Sequence, residues 1–118
     1  MPGTQRIEVD NADGVQVISF RERLLFDDKM VREVSDQVNA SLPADGKAIR
    51  LVLDFTGVDL ISSSLLGKLI LLLRRVEGGG GRLLLCELSP TVQSVFKTSN
   101  LDKLFKIVRD RPAALADL

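Results

Sequence analysis

An α/β fold with a mixed, largely parallel sheet and helices packed on it is the fold class this sequence predicts. Three observations predict it. Two strand-length segments, residues 49–55 (IRLVLDF) and 82–88 (RLLLCEL), are nearly all apolar, as strands covered on both faces must be. Stretches whose apolar residues recur at helical spacing lie between them and around them. Turn chemistry at Asn11-Ala12-Asp13-Gly14 joins two short strand candidates into an N-terminal β-hairpin. Strands that alternate with helices after a hairpin give helices layered on a parallel sheet.

The hairpin strands are residues 6–10 and 15–20. In the second, Val15 and Val17 alternate with Ile18 and Phe20, so both faces carry apolar groups. A polar connection follows, Arg21-Glu22-Arg23. Asp27 or Asp28 caps a first helix that runs to about Leu42, with Met30, Val31, Val34, Val38 and Leu42 as its apolar stripe. Phe26, just before the cap, predicts a hydrophobic staple onto Val31. Pro43-Ala44-Asp45-Gly46 ends that helix. After the central strand, the turn Thr56-Gly57-Val58-Asp59 leads through Leu60 and Ile61 to Ser62-Ser63-Ser64, where a second helix begins and runs to about Glu77. Its inner face is Leu65, Leu66, Leu69, Ile70, Leu72, Leu73 and Val76. Four glycines, Gly78 to Gly81, stop it and read as a flexible connector, one of them serving as a left-handed cap. After the next strand, Ser89 is an N-cap and Pro90 the first helical position, with Val92, Val95 and Phe96 facing inward. Asn100 ends this helix or caps a further short turn. Residues 105–108 form a last strand, and the tail from Pro112 adds a helical turn. One domain, residues 1–118, fills the chain.

Composition narrows the function. The 118 residues hold 16 basic and 16 acidic side chains, so no basic excess is available to displace the counterions of a nucleic acid. There is no Trp or Tyr and there are only five Phe, which argues against a base-stacking platform. With no His, the Ser-His and Cys-His nucleophile pairs and the commonest zinc ligand are missing. No catalytic residue, metal site or cofactor is expected. The lone cysteine, Cys86, lies in an apolar strand, reads as a small buried hydrophobe and fits a reducing compartment. Residues 1–10 carry no apolar run of signal-peptide length, and the richest apolar stretch, residues 65–73, is far shorter than the roughly 20 residues a bilayer span needs. A soluble, cytoplasmic binding or signalling module is the expectation, as a monomer or a weak dimer, with no nucleic-acid partner. Charge is uneven along the chain: residues 1–59 carry 7 basic and 11 acidic groups, whereas residues 60–118 carry 9 and 5. That reads as a solvated surface with a mild dipole.

The glycine run follows a helix and leads into a strand, the reverse of a phosphate-binding loop. The triple serine is more informative. It sits where the loop leaving a buried strand meets a helix N-terminus, the edge at which open parallel sheets place their sites. One serine suffices as the cap, worth about 1 kcal/mol. A phosphate on another would meet unpaired N–H donors and the positive end of the helix dipole, so the fold would tolerate it. No G-x-S-x-G elbow supports a serine nucleophile. On the outer face of the same helix, Leu71 falls among Ser64, Gly67, Lys68, Arg74 and Arg75. It is either an ordinary exposed leucine or a partner contact.

Residues 51–106 resemble the STAS domain, named for sulfate transporters and anti-sigma factor antagonists, and most of all its stand-alone bacterial antagonists. The pieces are residues 51–55, Ser62-Ser63-Ser64-Leu65-Leu66-Gly67, the glycine turn at Gly79 to Gly81, residues 83–88, Ser89-Pro90 and residues 96–101. The N-terminal hairpin and first helix fit the family outline as well. The family's helix opens with Asp-Ser-Ser-Gly-Leu-Gly; here Ser62 stands at the Asp position and Leu65 at the first Gly. The loop at residues 21–26 also departs from the family's pattern. The resemblance implies a regulatory binding module that is not an enzyme: an anti-sigma factor antagonist that captures an anti-sigma factor with kinase activity. By position it makes Ser63 the phosphoacceptor, with Ser64 the second choice. Ser62, Ser64, Gly67, Lys68 and Leu71 are the expected partner-binding residues. The alternative it leaves is a STAS scaffold or accessory subunit, of a signalling complex or a transporter, without a phosphorylation cycle. A nucleotide-binding protein has only fold-level analogy behind it.

Overall fold

The computed structural model describes residues 4–118; residues 1–3 of the expected domain lie outside the described residues. Strand β1 (Ile7–Ala12) pairs antiparallel with β2 (Val15–Phe20), joined by Asp13 and Gly14 alone. Both have positive φ, +53° and +80°, the conformation a two-residue hairpin turn demands and the reason an Asp-Gly pair occupies it. Asn11 and Ala12, expected in the turn, belong to the strand because so tight a turn lets the ladder continue to its last residue.

After β2 the chain forms a two-residue strand, β3 (Leu24–Leu25), then helix α1 (Asp28–Ser41) with Asp27 as its N-cap. Strand β4 (Arg50–Asp54) follows, then the short β5 (Leu60–Ile61) and helix α2 (Ser63–Gly78). Strand β6 (Arg82–Cys86), helix α3 (Pro90–Thr98), a 3-10 turn (Leu101–Lys103), strand β7 (Lys106–Ile107) and helix α4 (Arg111–Asp117) complete the chain. The main sheet has the order β1-β2-β4-β6-β7, and every pair except β1–β2 is parallel. Strands β3 and β5 form a separate parallel pair, unexpected from sequence because two residues carry no period.

Helices α1, α2 and α3 all cover one face of the sheet. Val31, Val34 and Val38 of α1 and Leu65, Leu69, Leu72, Leu73 and Val76 of α2 pack with Ile18, Leu51, Leu53, Leu83 and Leu85. The other face carries Val15, Val17, Val52, Leu84 and Cys86, closed by Ala114 of α4. This two-sided cover is why β4 and β6 are apolar at successive positions. The tail helix is also firmer than a single turn: Asp110 caps it, its carboxylate accepting from the Ala113 N–H at 3.0 Å, and Pro112 sits in its first turn.

Two further expectations change. Phe26 is 55% exposed, so the staple onto Val31 does not bury it; the backbone of this segment is instead held in the β3–β5 pair. The glycine run is not a loose connector. Gly80 takes the left-handed conformation, φ +80°. A Cβ on Gly79 would overlap the Gly46 carbonyl, and one on Gly81 the Ile49 carbonyl. Hydrogen bonds from Ala48 N–H to Gly79 O (2.8 Å) and from Arg82 N–H to Ile49 O (2.8 Å) hold the two segments at that distance.

Candidate functional site

The site forms where two loops meet at the C-terminal end of the sheet. The backbone of Asp59 donates to Arg23 O at 2.7 Å, and Ser62 N–H donates to Leu25 O at 3.0 Å. The Arg23 guanidinium adds two bonds to Asp59 Oδ2, at 2.9 and 2.6 Å. These contacts bind the segment after β2 to the segment entering α2. Leu25 is wholly buried as the plug between them, while its neighbours Leu24 and Phe26 point outward, 53% and 55% exposed.

The three serines divide their duties. Ser62 has extended backbone (φ −97°, ψ 163°) and is the N-cap of α2. Its Oγ accepts from Leu65 N–H at 3.2 Å, and its carbonyl accepts from Leu66 N–H at 3.2 Å. It is only 8% exposed. Ser63 and Ser64 occupy the first two helical positions and are exposed. The Ser62 hydroxyl serves the third N–H of the helix; those of Ser63 and Ser64 have no acceptor among the described residues. Unpaired donors and the positive end of the dipole therefore lie beside two free hydroxyls, an arrangement suited to an added anion.

Beyond the serines, α2 presents Gly67 and Leu71 to solvent, and Leu71 is 60% exposed. Lys68 is half-buried and lies toward α1, lining a small gap with Val34, Ser35 and Asn39. Arg75 also reaches α1, donating to Asn39 Oδ1 at 2.7 Å. A groove of about 420 Å³ opens from Ser63 between α2 and α3, lined by Leu66, Ser94, Val95, Thr98 and Ser99. Of the expected partner-binding residues, Ser64, Gly67 and Leu71 share one surface, Lys68 stands at its α1 side, and Ser62 lies beneath it.

Sequence reasoning missed Leu24 and Phe26 as exposed apolar groups beside the serines; their signal was hidden in a loop with no readable period. It also missed the buried charge at the end of β4. Asp54 is 3% exposed, yet both its oxygens are satisfied. Oδ1 accepts from Thr56 N–H at 2.9 Å and Thr56 Oγ1 at 2.6 Å; Oδ2 accepts from Arg111 Nε at 2.9 Å. Burial alone would push this carboxyl up, but the Thr56 bonds and Arg111 outweigh it and hold it below the ordinary carboxylate value. Cys86 is the opposite case: burial, reinforced by Asp54 and Glu87, pushes its thiol up to about 12. Among the described residues no three His, Cys, Asp or Glu side chains gather as a metal site. None of the described helices is long and apolar enough to cross a membrane.

The sequence profile of the STAS domain matches residues 6–114. The chain is similar to BtrV of Bordetella bronchiseptica, a protein named as an anti-sigma factor antagonist, with 37% identity over 84 residues, covering 70% of this chain and 72% of BtrV. Its fold is similar to that of an anti-sigma factor antagonist from Mycobacterium paratuberculosis, with a TM-score of 0.79, 22% identity and coverage of 94% of this chain and 91% of that one. It is likewise similar to the anti-sigma factor antagonist SpoIIAA in its unphosphorylated form, with a TM-score of 0.74, 21% identity and coverage of 94% and 93%.

Proposed function

The chain belongs to the STAS domain family, and from that premise we propose that it is an anti-sigma factor antagonist that captures a kinase-like anti-sigma factor and is switched by phosphorylation of Ser63. Proteins of this kind are regulatory binding modules rather than enzymes. One observation carries the switch: Ser62 is buried and does the capping, which leaves the Ser63 hydroxyl exposed at the first position of α2. The names of its relatives support the same reading, BtrV as an antagonist and SpoIIAA as a protein described by its phosphorylation state.

In the unmodified protein, the partner lies over Ser63, Ser64, Gly67 and Leu71, with Leu24 and Phe26 giving apolar contact at the rim. Transfer of the γ-phosphoryl group of ATP to Ser63 Oγ, which breaks its bond to the departing ADP and releases the hydroxyl proton to solvent, puts a charge where the partner had desolvated a hydroxyl. That costs several kcal/mol and releases the complex. The direct test is to incubate the protein with its cognate anti-sigma factor and ATP, then map phosphate by mass spectrometry. Phosphate on Ser63, constitutive capture by Ser63→Ala and loss of capture by Ser63→Asp are expected. Phosphate on Ser64 alone would move the switch by one residue. Because Ser62 stands at the family's Asp position, a second reading has its own support: a scaffold or accessory subunit with no phosphorylation cycle. Binding that persists with no phosphate on any serine would favour it.

A further inference from the structure

We infer that the outer edge of β7, with the groove between it and α3, is a docking site for an extended acidic segment of a partner protein. The groove holds about 470 Å³ and is walled by Gln93 and Lys97 of α3, by Asp102 and by the chain from Phe105 to Arg109. It lies on a different side of α3 from the Ser63 groove, which meets Ser94, Val95, Thr98 and Ser99.

β7 is the last strand of the main sheet, so one of its sides has no neighbour. Its inner side is used: Leu84 and Leu85 pair with Lys106 and Ile107, and Val108 N–H donates to Leu85 O at 2.9 Å. In a parallel ladder, alternate residues turn their N–H and C=O to opposite sides. Those of Ile107 therefore point away from β6 and have no partner among the described residues. They are a donor and an acceptor placed for an added strand. The floor is apolar: Phe105 is buried edge-on against Phe96, and Ile107 and Val108 are half-buried.

The rim selects the occupant by charge. Lys97 and Lys106 are exposed and make no ion pair among the described residues, and exposed Arg109 meets only its neighbour Asp110, at 3.5 Å; against these three cations the wall sets one exposed carboxylate, Asp102, so the rim stays net positive. A lysine on a sheet edge repels a basic strand and loses hydration against an apolar one, whereas a strand bearing carboxylates is matched to it. A second copy of this chain does not fit. Two β7 edges would set Lys106 and Arg109 against themselves. The acidic edge strand β1 has Glu8 on Arg21 (3.3 Å) and Asp10 facing Arg111 (3.8 Å). Its Ile7 carbonyl accepts from the Gln5 side chain, and its Asn11 N–H donates to Asp10 Oδ1.

The test uses the full chain and an end-blocked peptide of about eight residues, a common strand length, that alternates Glu with Val. Fluorescence anisotropy reads affinity, and amide chemical shifts locate the site. The expected result is saturable binding that weakens with salt, with shifts confined to Gln93, Lys97 and residues 105–109. The double variant Lys97→Glu, Lys106→Glu should lose affinity by about tenfold with an unchanged Tm. A peptide alternating Lys with Val should not bind. Ser63→Asp should bind the acidic peptide as the unaltered chain does, which separates this site from the serine switch. Absence of saturable binding, shifts elsewhere, affinity indifferent to the double charge reversal, or self-association that Lys106→Glu abolishes would each overturn the proposal.

Discussion

A phosphoryl group on Ser63 adds about −1.5 to −2 charges at neutral pH. The neighbouring helix end offsets its cost to the fold by about 0.3–1 kcal/mol. The fold and the proposed switch are therefore separable by substitution. Ser62→Ala removes the cap of α2 and should lower stability by about 1 kcal/mol; Ser63→Ala removes no hydrogen bond of the fold and should stay within about 0.5 kcal/mol. Thermal unfolding of both variants checks this, and equal losses would contradict the division of duties. Asp54 predicts a pH dependence. Its folded carboxyl titrates below the ordinary aspartate value, so its contribution is present above the unfolded value and is lost as pH falls through the folded one. Removing the partner by Arg111→Met should cost about 2–3 kcal/mol at neutral pH, less than a fully buried pair because Arg111 is 35% exposed. Denaturant unfolding from neutrality down to acid should show the gap between variant and parent narrowing as Asp54 protonates. Cys86, held up to about 12, is a neutral thiol in the folded chain, so thiol reagents should modify it no faster than the protein opens. Rapid labelling under native conditions would contradict its burial.

Among the elements, the turn after α2 gives the sharpest contrast between neighbouring residues of one type. Gly79→Ala and Gly81→Ala each drive a methyl into backbone and should cost about 3 kcal/mol. Gly78, the last residue of α2, has open space around it, and Gly78→Ala should gain about 0.5–1 kcal/mol. Equal effects in the four-glycine run would mean that the Gly46–Ile49 segment does not pack there. On α2 itself, Leu71→Asp should weaken partner capture while leaving Tm nearly unchanged, because the side chain is 60% exposed. The three long helices were legible from their 3.6-residue stripes, and β4 and β6 from their unbroken apolar runs. β3 and β5 were not, since two residues cannot display a period. Nor was the use of the glycines: four in a row read as slack, and the backbone that forbids a side chain lies about thirty residues earlier in the chain. The serine run at the start of α2 was legible from the helix boundary, whereas Ser63 was singled out only by the family resemblance, and which serine caps was decided by backbone angles. The Asp54–Arg111 pair joins residues 57 apart, beyond any local pattern.

At the scale of the molecule, the two faces of the sheet are covered very unequally. Three helices close one face, whereas the other depends on the seven residues of α4. That helix is fastened by Arg111 to Asp54, by Arg82 to Asp117 (3.2 Å) and by Arg50 Nη2, which donates to Leu118 O at 3.3 Å. Deleting residues 111–118 should leave the helix-covered core folded but bare Val15, Val17, Val52 and Leu84. Hydrophobic-dye binding and light scattering should both rise, and a monomer with unchanged Tm would show that α4 is not the cover. Chain order gives this arrangement a further consequence. A ribosome adds about 5–20 residues per second, and every strand of the sheet leaves it before α4 does. The growing chain thus passes through an interval in which its sheet is complete and one apolar side is open to chaperones and to other nascent chains. Substitutions that slow the docking of α4 should then reduce soluble yield in cells more than they reduce the stability of the purified protein.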